Sequence, residues 1–420
     1  MSNTTEQSPV SGVRERAPLL RACAERYRES TPFEALTIGV SAPLTPHTGL
    51  FLDVLAAGGA EVLVTGEFGS AHADVLAWLD DHEGITPLST VGMSETELAD
   101  ARRELLAAEP DLLADDGAYL LSLAHDEFPE AAANVRGACE QTTGGITRLQ
   151  AMDEQGVLSF PVYDVNGAPM KQHFDNVHGT AESSLSALTS LTDMLVAGSV
   201  AVVGGYGQCG RGLARKLRAL GARTIVTEAD PRKALEAVAD GHEVRPMREA
   251  VPDADLVVTA TGRFGILRRE HIEALADGAV VASIGSIIEI DTEAFGEMAS
   301  DVTRPEPGVA RYQFPDGRTV TLLTDGQVVN LAAPNGEGNP TPVMDTTFAL
   351  MSRGLAAFAE GADLSPGLHP LPEAIDRAVA REKLDAIGVD IDEIPDEQRA
   401  YREQWAAHEG SDSPSEKEPR

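Results

Sequence analysis

Short apolar runs alternate with amphipathic stretches through most of the chain. "EALTIGV" and "AEVLVTG" have the pattern of buried strands, and residues 50–57 between them carry apolar positions at helical spacing. Strand, helix and strand in this order predict an α/β layer with a parallel sheet, and "GAYLLSLAH" continues the pattern. Leucines at 185, 188, 191 and 195 predict a helix over 181–197 that ends at Gly198.

A second α/β unit follows this helix. "VAVVG" predicts a strand, "GRGLARKLRALG" a helix and "RTIVTEAD" the next strand, and "DADLVVTATG" and "DGAVVASIG" repeat the theme. A Gly- and Pro-rich stretch after Asn330 leads into a helix through Met351, and 371–408 predicts one or two charged amphipathic helices. The first and last ten residues are polar and are predicted to fray.

Composition then narrows the classes of function. The 420 residues include 67 Asp and Glu against 33 Lys and Arg, a net charge of −34, which excludes nucleic acid and anionic membrane surfaces as partners because both would be repelled. With 42% hydrophobic residues the chain is predicted to fold, and a folded acidic protein fits a cytosol of very high salt. The three cysteines, Cys23, Cys139 and Cys209, lack metal-ligand spacing and predict free thiols in a reducing compartment, with no metal site. The amino terminus lacks an apolar signal core, which predicts a cytoplasmic location.

The strongest motif is "GYGQCG" at 205–210, between a predicted strand and a predicted helix. Gly205 would permit a tight turn, Gly207 would let the backbone approach a pyrophosphate, and Gly210 would let the helix pack on the strand. Glu228 follows the next strand, where a carboxylate holds a ribose diol and repels a 2′-phosphate. The motif therefore predicts binding of NAD rather than NADP.

Several longer motifs occur in a consistent order from about Thr37 to about Tyr401. "FPVYDVNGAPMKQHFDN", "DMLVAGSVAVVGGYGQCGRG", "IVTEADP", "IGSIIEID" and "DGQVVNL" together resemble the S-adenosyl-L-homocysteine hydrolase family. The resemblance implies that NAD⁺ oxidises the ribose 3′-hydroxyl of a nucleoside thioether, that homocysteine is eliminated and water adds, and that the ketone is reduced again. It implies a homo-oligomer with a split substrate domain (1–180 and 331–378), a Rossmann NAD domain (181–330) and a helical arm and tail (379–420).

The resemblance also assigns roles to individual residues. Lys171 is the implied base, or its relay, for the 3′-hydroxyl, and Asp175 would bind the ribose hydroxyls; a lysine acts so only where a closed cleft favours the neutral amine. Asp116 would face the ribose from the other side, and Asn166 and Asn176 would orient Lys171 and the nicotinamide. The remaining residues of the implied substrate and cofactor sites are Thr45, Gln141, Thr142, Thr143, Gln208, Cys209, Gly285 and Asn330.

The chain departs from the family at four positions. Family histidines are replaced by Pro43, Ser286 and Asn339, and a family glutamate by Gln141, although Glu140 is adjacent. The histidines serve proton transfer on the homocysteine side and the adenine pocket, so the departures affect the elimination half of the reaction. Candidate replacements are the histidines at 47, 72 and 178, each of which could equally be an ordinary surface or core histidine.

Three functions therefore stay open at this point. The first is NAD-dependent hydrolysis of S-adenosyl-L-homocysteine or a close nucleoside thioether. The second is a paralogue that binds NAD and a nucleoside and regulates a partner without turnover, and the third is an NAD-dependent oxidoreductase or lyase acting on another ribosyl compound. Lys171 and Asp175 favour an enzyme, because binding alone does not require a base.

Overall fold

A computed structural model describes residues 8–403 except 68, 286, 335 and 337, and for residues 402 and 403 the backbone only. The strands are β1 Thr37–Ser41, β2 Glu61–Thr65, β3 Ile85–Pro87, β4 Leu112–Asp115, β5 Gly137–Glu140, β6 Pro161–Asp164, β7 Val200–Gly204, β8 Arg223–Thr227, β9 Glu243–Val244, β10 Leu256–Thr259, β11 Val280–Ser283, β12 Asp301–Glu306, β13 Val309–Gln313, β14 Thr319–Leu323 and β15 Gly367–Pro370.

Helices connect and flank these strands. They are α1 Ser11–Arg16, α2 Pro18–Ser30, α3 Pro46–Ala57, α4 Ala73–Asp80, α5 Glu95–Ala107, α6 Tyr119–Glu127, α7 Pro129–Asn134, α8 Thr143–Glu154, α9 Thr180–Thr192, α10 Gln208–Ala219, α11 Pro231–Ala239, α12 Met247–Ala250, α13 Arg269–Ile272, α14 Thr292–Met298, α15 Val329–Ala332, α16 Thr341–Ala359, α17 Glu373–Ala386 and α18 Asp396–Glu403, with a π-helix over Lys171–Gly179. Among the described residues, no helix combines the length and apolarity that crossing a membrane requires.

The first sheet has seven strands, all parallel, in the order β15-β6-β5-β4-β1-β2-β3. The chain moves outward from β1 to β3 on one side and then from β4 to β6 on the other. The strand order therefore reverses between β1 and β4, and ligands of open α/β sheets bind outside the carboxyl ends of the strands at such a switch point. The buried strands are rich in Val, Leu and Ile because both faces of the sheet are covered by helices.

The second sheet has eight strands in the order β12-β13-β14-β11-β10-β7-β8-β9. The six strands from β14 to β9 are parallel and have the order 3-2-1-4-5-6 of a Rossmann fold, which confirms the α/β fold predicted from the sequence. β12 and β13 extend this sheet as an antiparallel pair. The reversal of strand order lies between β7 and β10, beside the glycine-rich motif.

Two details of the sequence prediction are wrong. The helix predicted over 181–197 ends at Thr192, because Asp193 adopts a left-handed conformation (φ 50°, ψ 26°) that terminates it before Gly198. The first ten residues are not polar coil throughout, since the Val10 side chain is 1% exposed just ahead of α1. The last ten residues lie outside the described part of the chain.

The charge of the molecule leads to a prediction about salt. The net charge of −34 produces self-repulsion, and this repulsion extends over about 30 Å in about 0.01 M salt but only about 3 Å at 1 M. We expect the melting temperature to rise steeply from dilute buffer to molar KCl, as measured by differential scanning fluorimetry. Sucrose stabilises proteins without screening charge and serves as the control. An unchanged melting temperature across the KCl series would show that the acidity is not an adaptation to salt.

Candidate active site

Polar side chains collect at the carboxyl edge of the first sheet. Parallel pairing aligns Ser41 at the end of β1 with Thr65 of β2 and with Asp115 of β4. The loops after these strands, and those after β5 and β6, therefore leave the sheet at the same edge. Most of the residues implied by the resemblance on the substrate side lie in these loops or on the π-helix that follows β6.

Lys171 lies on the first turn of the π-helix and is buried, with 7% of its surface exposed. Its Nζ donates to Asn176 Oδ1 at 2.9 Å and lies 2.9 Å from Asp175 Oδ2. Asn176 Nδ2 in turn donates to Asn166 Oδ1 at 2.9 Å. The wider turn of a π-helix, which occurs most often at functional sites, brings positions four and five residues after the lysine to the same ammonium group.

Asp175 is almost completely enclosed, with 2% of its surface exposed. Thr347 Oγ1 donates to its Oδ2 at 2.6 Å, and Asn339 Nδ2 donates to its Oδ1 at 2.5 Å. Together with Lys171, these contacts use three of the roughly four lone-pair positions of a carboxylate. Asn339, where the resemblance implies a histidine, is therefore a hydrogen-bond donor to Asp175.

The same asparagine links the two sheets. Asn330 Nδ2 donates to Asn339 Oδ1 and to Ser183 Oγ, both at 3.0 Å, and Ser183 Oγ donates to Asn339 Oδ1 at 2.9 Å. These bonds orient the Asn330 amide. Its Oδ1 is buried and has no hydrogen-bond partner among the described residues, so a ligand with an N–H donor would satisfy it.

Asp116 and Gln141 form the opposite wall. Gln141, 5% exposed, donates from Nε2 to Asp116 Oδ2 at 2.8 Å. Burial raises the pKa of Asp116 to about 7, although the positive charge of Lys171 and the hydrogen bond from Gln141 lower it. Asp116 is therefore close enough to Lys171 to sense its charge and is poised to exchange a proton near neutral pH.

Glu140 does not replace the family glutamate at the neighbouring position. Its Oε1 accepts hydrogen bonds from the amide of Gly117 at 3.1 Å and from the amide and hydroxyl of Thr142, both at 2.7 Å. Its Oε2 accepts from the amide of Ala118 at 2.8 Å, and the side chain is fully buried. Glu140 thus holds the loops after β4 and β5 together and faces away from any ligand.

Thr142, Thr143 and Thr45 are all at helix amino termini. Thr142 caps α8 by accepting from the Gly145 amide at 2.9 Å, and the next residue, Thr143, donates from Oγ1 to Asn166 Oδ1 at 3.4 Å. Thr45 caps α3 in the loop after β1 and is buried. The structure brings Thr143 to the Lys171 network through Asn166, whereas the Thr45 side chain contacts Thr48.

The histidines considered as replacements take other positions. His47 is buried with its Nε2 3.0 Å from Thr341 Oγ1 at the start of α16, and His72 Nε2 is 3.1 Å from the Gly336 carbonyl oxygen. His178 is exposed on the π-helix. Ser286 lies outside the described residues.

The glycine-rich loop has the geometry that a dinucleotide needs. Gly205 has φ +101°, which an L side chain rarely adopts, and an added Cβ at Gly207 would meet no atom within 4 Å. An added Cβ at Gly210 would collide with the carbonyl oxygen of Gly205, and one at Gly285 would collide with the Glu289 carboxylate. The space next to Gly210 and Gly285 is therefore filled by protein atoms, whereas the space next to Gly207, at the amino terminus of α10, is open to a ligand.

Glu228 is held at the end of β8 beside this loop. Its Oε2 accepts from the Tyr206 amide at 2.7 Å, and its Oε1 accepts from the Ala229 and Asp230 amides at 2.7 and 2.9 Å. The loop reaches the Lys171 site through Gln208 and Cys209. Gln208 Nε2 donates to Gln172 Oε1 at 3.4 Å, and Cys209 has its pKa raised to about 11, by burial above all, although the charge of Lys171 lowers it. The open loop, the fixed carboxylate and the unpaired Asn330 oxygen fit NAD.

Two residues of the site were missed by sequence reasoning. Thr347 and Ser183 bind Asp175 and the two asparagines, but each is an ordinary helix residue in the sequence. A signal for Thr347 existed, because "DTT" at 345–347 places three polar residues within an otherwise apolar helix, and all three are buried. No comparable pattern marks Ser183.

Comparisons with known proteins agree with this geometry. Residues 176–336 match the family model for the NAD-binding domain of S-adenosyl-L-homocysteine hydrolase. The chain is 41% identical over 399 residues to S-inosyl-L-homocysteine hydrolase of Methanopyrus kandleri, with 94% of each chain covered. It is 40% identical over 403 residues to the adenosylhomocysteinase of Thermotoga maritima, covering 96% of this chain and 99% of the relative.

The adenosylhomocysteinase of Haloquadratum walsbyi is 40% identical over 392 residues, covering 93% of this chain and 91% of the relative. These likenesses extend over both sheets and include the NAD-binding domain, whose cofactor is NAD. The chain belongs to the S-adenosyl-L-homocysteine hydrolase family.

Proposed function

We propose that the protein is an NAD-dependent hydrolase that cleaves a nucleoside thioether of homocysteine into a nucleoside and homocysteine. The observation that carries this proposal is the buried network of Lys171, Asp175, Asn176 and Asn166 next to the glycine-rich loop. Burying the amino group of a lysine costs free energy of folding, because the charged form loses its hydration. A protein that binds a nucleoside without turnover does not need such a base. Relatives named for both S-adenosyl and S-inosyl substrates make these the two candidates.

The residues proposed to hold NAD form a continuous path. The glycine loop would receive the pyrophosphate, Glu228 the adenosine ribose, and Asn330 Oδ1 the carboxamide N–H of the nicotinamide. When bound, NAD supplies a reversible acceptor for the hydride on the ribose 3′-carbon. The other residues proposed to contact NAD are Thr142, Thr143, Asn176, Gln208, Cys209 and Gly285.

On the substrate ribose the proposed roles follow from the contacts. Lys171 as the amine takes the 3′-hydroxyl proton, and Asp175 and Asn176, each 2.9 Å away, stabilise the ammonium group that forms. Asp175 accepts one further hydrogen bond from a ribose hydroxyl at Oδ1. Asp116 takes the proton that a 3′-ketone makes acidic at C4′, which suits a carboxyl group whose pKa is about 7. Gln141 keeps the Asp116 carboxylate in place, and Thr45 is proposed to contact the base.

We further propose that the protein is a cytoplasmic homo-oligomer. The segment after α17 exposes apolar residues in a row, which a subunit contact would cover: Ile387, Val389, Ile391 and Ile394. The described cysteines are all free thiols, as a reducing interior allows. Light scattering after size-exclusion chromatography in molar KCl measures the number of subunits. A monomer would contradict the proposal that the protein is a homo-oligomer.

The function is tested by offering both thioethers to the purified protein in high salt. S-adenosyl- and S-inosyl-L-homocysteine are supplied separately, while NADH absorbance and release of homocysteine and nucleoside are followed. We expect one substrate to reduce bound NAD and to release homocysteine in equal amount to its nucleoside. NADH without homocysteine would favour an oxidoreductase acting on another ribosyl compound, and no NADH with either substrate would favour a regulatory binding protein.

Retention of NAD leads to a separate prediction. Glu228→Gln removes the negative charge that accepts ribose hydroxyls, and a hydrogen bond to a charged group contributes about 1.5–3 kcal/mol. We expect the variant to bind NAD about tenfold more weakly or worse and to lose part of its preference over NADP. Titration of the apo-protein by calorimetry measures both. Glu306→Gln, an exposed change on β12, is the matched control and should leave NAD binding unchanged.

A further inference from the structure

Glu67 lies at the active-site edge of the first sheet although no role has been given to it. It follows β2 by two residues, and β2 pairs in parallel with β1. The Ala42 amide donates to the Thr65 carbonyl at 3.2 Å, and the Leu44 amide donates to the Ser70 carbonyl at 3.0 Å. The loop that carries Glu67 is therefore bound at both ends to the loop that carries Pro43.

Asp116 follows β4, the strand that pairs with β1 on the side opposite to β2, and its charge acts on Glu67. The Asp116 amide donates to the Ser41 carbonyl at 2.9 Å, so it emerges beside the same β1 loop. Glu67 Oε1 is buried and has no hydrogen-bond partner among the described residues. Gln141, which binds Asp116, is 5% exposed. Its Oε1 is also buried and has no hydrogen-bond partner among the described residues. Two such oxygens cost about 1–3 kcal/mol each unless a ligand satisfies them.

The charges around Glu67 favour its protonated form. Burial raises its pKa well above the ordinary range, and the carboxylate of Asp116 raises it further. Asp115 and Glu140 act in the same direction, whereas Arg102, which donates from Nη2 to the Gly66 carbonyl at 3.4 Å, lowers it. Burial raises the pKa of Tyr119, and the nearby charge of Glu67 raises it further. Two carboxyl groups with raised pKa values thus lie close together, and their mutual repulsion disfavours ionisation of both.

We propose that Glu67 is the general acid of the elimination step and delivers a proton to the departing homocysteine sulfur. The proposal rests on the proposed hydrolase function, because it presupposes a 3′-ketone and a C5′–S bond at this edge of the sheet. Glu67, Asp115, Asp116 and Glu140 form one group of carboxyl groups whose charges interact. Within this group, Asp115 and Glu140 are bound to backbone amides, and Asp116 is the proposed base. Glu67 is the remaining one, and its oxygen is available to a ligand.

The protons and electrons balance in both directions. Asp116 takes the C4′ proton, the electron pair of that C–H bond forms the C4′–C5′ double bond, and the C5′–S bond breaks. Its electron pair goes to sulfur, which takes the Glu67 proton and leaves as a thiol. Water then adds at C5′ as its proton passes to the Glu67 carboxylate, and Asp116 returns its proton to C4′. Glu67 ends the cycle protonated, as it began.

The experiment compares Glu67→Gln with the parent protein in single turnover. Glutamine has the shape of the protonated acid but cannot donate a proton in this way, so the fold and 3′-oxidation should be retained. We expect NADH to form at the parent rate while homocysteine release falls by about 10²–10⁴-fold. The parent release rate should decline at alkaline pH as Glu67 ionises, and this limb of the pH profile should be absent from the variant.

A leaving group that needs no proton separates acid catalysis from a structural effect. The 5′-chloro-5′-deoxynucleoside of the preferred base loses chloride as an anion, so Glu67→Gln should release chloride in the first turnover at the parent rate. Glu61→Gln, an exposed change at the start of the same strand, is the matched control.

Each outcome bears on one of the two proposals. Unchanged homocysteine release in Glu67→Gln would overturn the role of Glu67 while leaving the hydrolase function intact. Equal loss of NADH formation, homocysteine release and chloride release would show that Glu67 only supports the fold. A parent protein that forms no NADH with any thioether would overturn the proposed function itself, which is a different result from either of these.

Discussion

Lys171→Met is expected to reduce both NADH formation and homocysteine release by about 10³-fold or more, because Lys171 is the group proposed to take the proton of the 3′-hydroxyl. The two halves of the reaction should fail together, since elimination needs the ketone that the first half produces. Single-turnover absorbance measures the first half and a thiol assay the second. Bound NAD should persist in the variant, because the glycine loop and Glu228 are unchanged, and its release on heating checks this.

Two further variants show whether the lysine acts as a base or only as a charge. Lys171→Arg keeps the positive charge beside Asp175, but a guanidinium does not give up its proton at physiological pH. We expect it to be as inactive as the methionine variant while being closer to the parent in melting temperature. His173→Met, an exposed change two residues along the same π-helix, should leave both signals intact. Substantial activity in Lys171→Arg would contradict the role of Lys171 as a base.

Asp345→Ala is expected to cause the largest loss of stability from a single change in the first sheet's helical layer. Asp345 is 1% exposed on α16, and its carboxylate lies 2.7 Å from Lys383 Nζ on α17. It also accepts from the Leu19 amide at 3.3 Å and from the Leu20 amide at 2.9 Å. These amides are at the start of α2, where Ala17 has no side-chain oxygen to cap the helix.

One carboxylate on α16 therefore joins the neighbouring helix α17 and the sequence-distant helix α2. Removing one partner of a buried ion pair costs about 3–5 kcal/mol. Lys383 is partly exposed, but two amides at the start of α2 lose their acceptor as well. We expect Asp345→Ala to reduce the free energy of unfolding by this amount, measured by denaturant titration in molar KCl. Asp345→Asn should cost less, because its Oδ1 can still accept from one amide. Asp363→Ala, an exposed change after α16, is the control, and a similar loss there would contradict the account.

The acid cluster illustrates what a sequence pattern cannot reveal. Asp116 was predicted through the resemblance. Glu67 lies in the stretch "GEFGS" after a predicted strand, where a glutamate looks like a solvated loop residue. Its importance depends on the register of β1, β2 and β4, which places three separate loops at one edge. Burial then changes the protonation of the carboxyl groups, and burial is a property of the packed structure.

For Glu140 and Asn339, the sequence suggested roles that differ from the contacts found in the structure. By sequence, Glu140 is a neighbour able to replace a missing glutamate, but its four hydrogen bonds to the loops after β4 and β5 give it a structural role. By sequence, Asn339 is a lost histidine, but in the structure its amide binds Asp175 and joins the two sheets. Asn339 and Asp175 are more than 100 positions apart in the chain, so the sequence pattern around either residue does not show that they are in contact.

The sequence by itself determined the α/β class, the glycine-rich loop with Glu228, the NAD cofactor and the family, because each depends on residue type at short spacing. Local backbone chemistry explains this: a strand, a tight glycine turn and a helix are specified within about 30 residues. Only the tertiary structure decided the π-helix that places Lys171, the left-handed end of α9 at Asp193, and the contacts of Thr347 and Ser183. It also decided which carboxyl groups have raised pKa values, because desolvation and neighbouring charges come from strands and loops that meet only after folding.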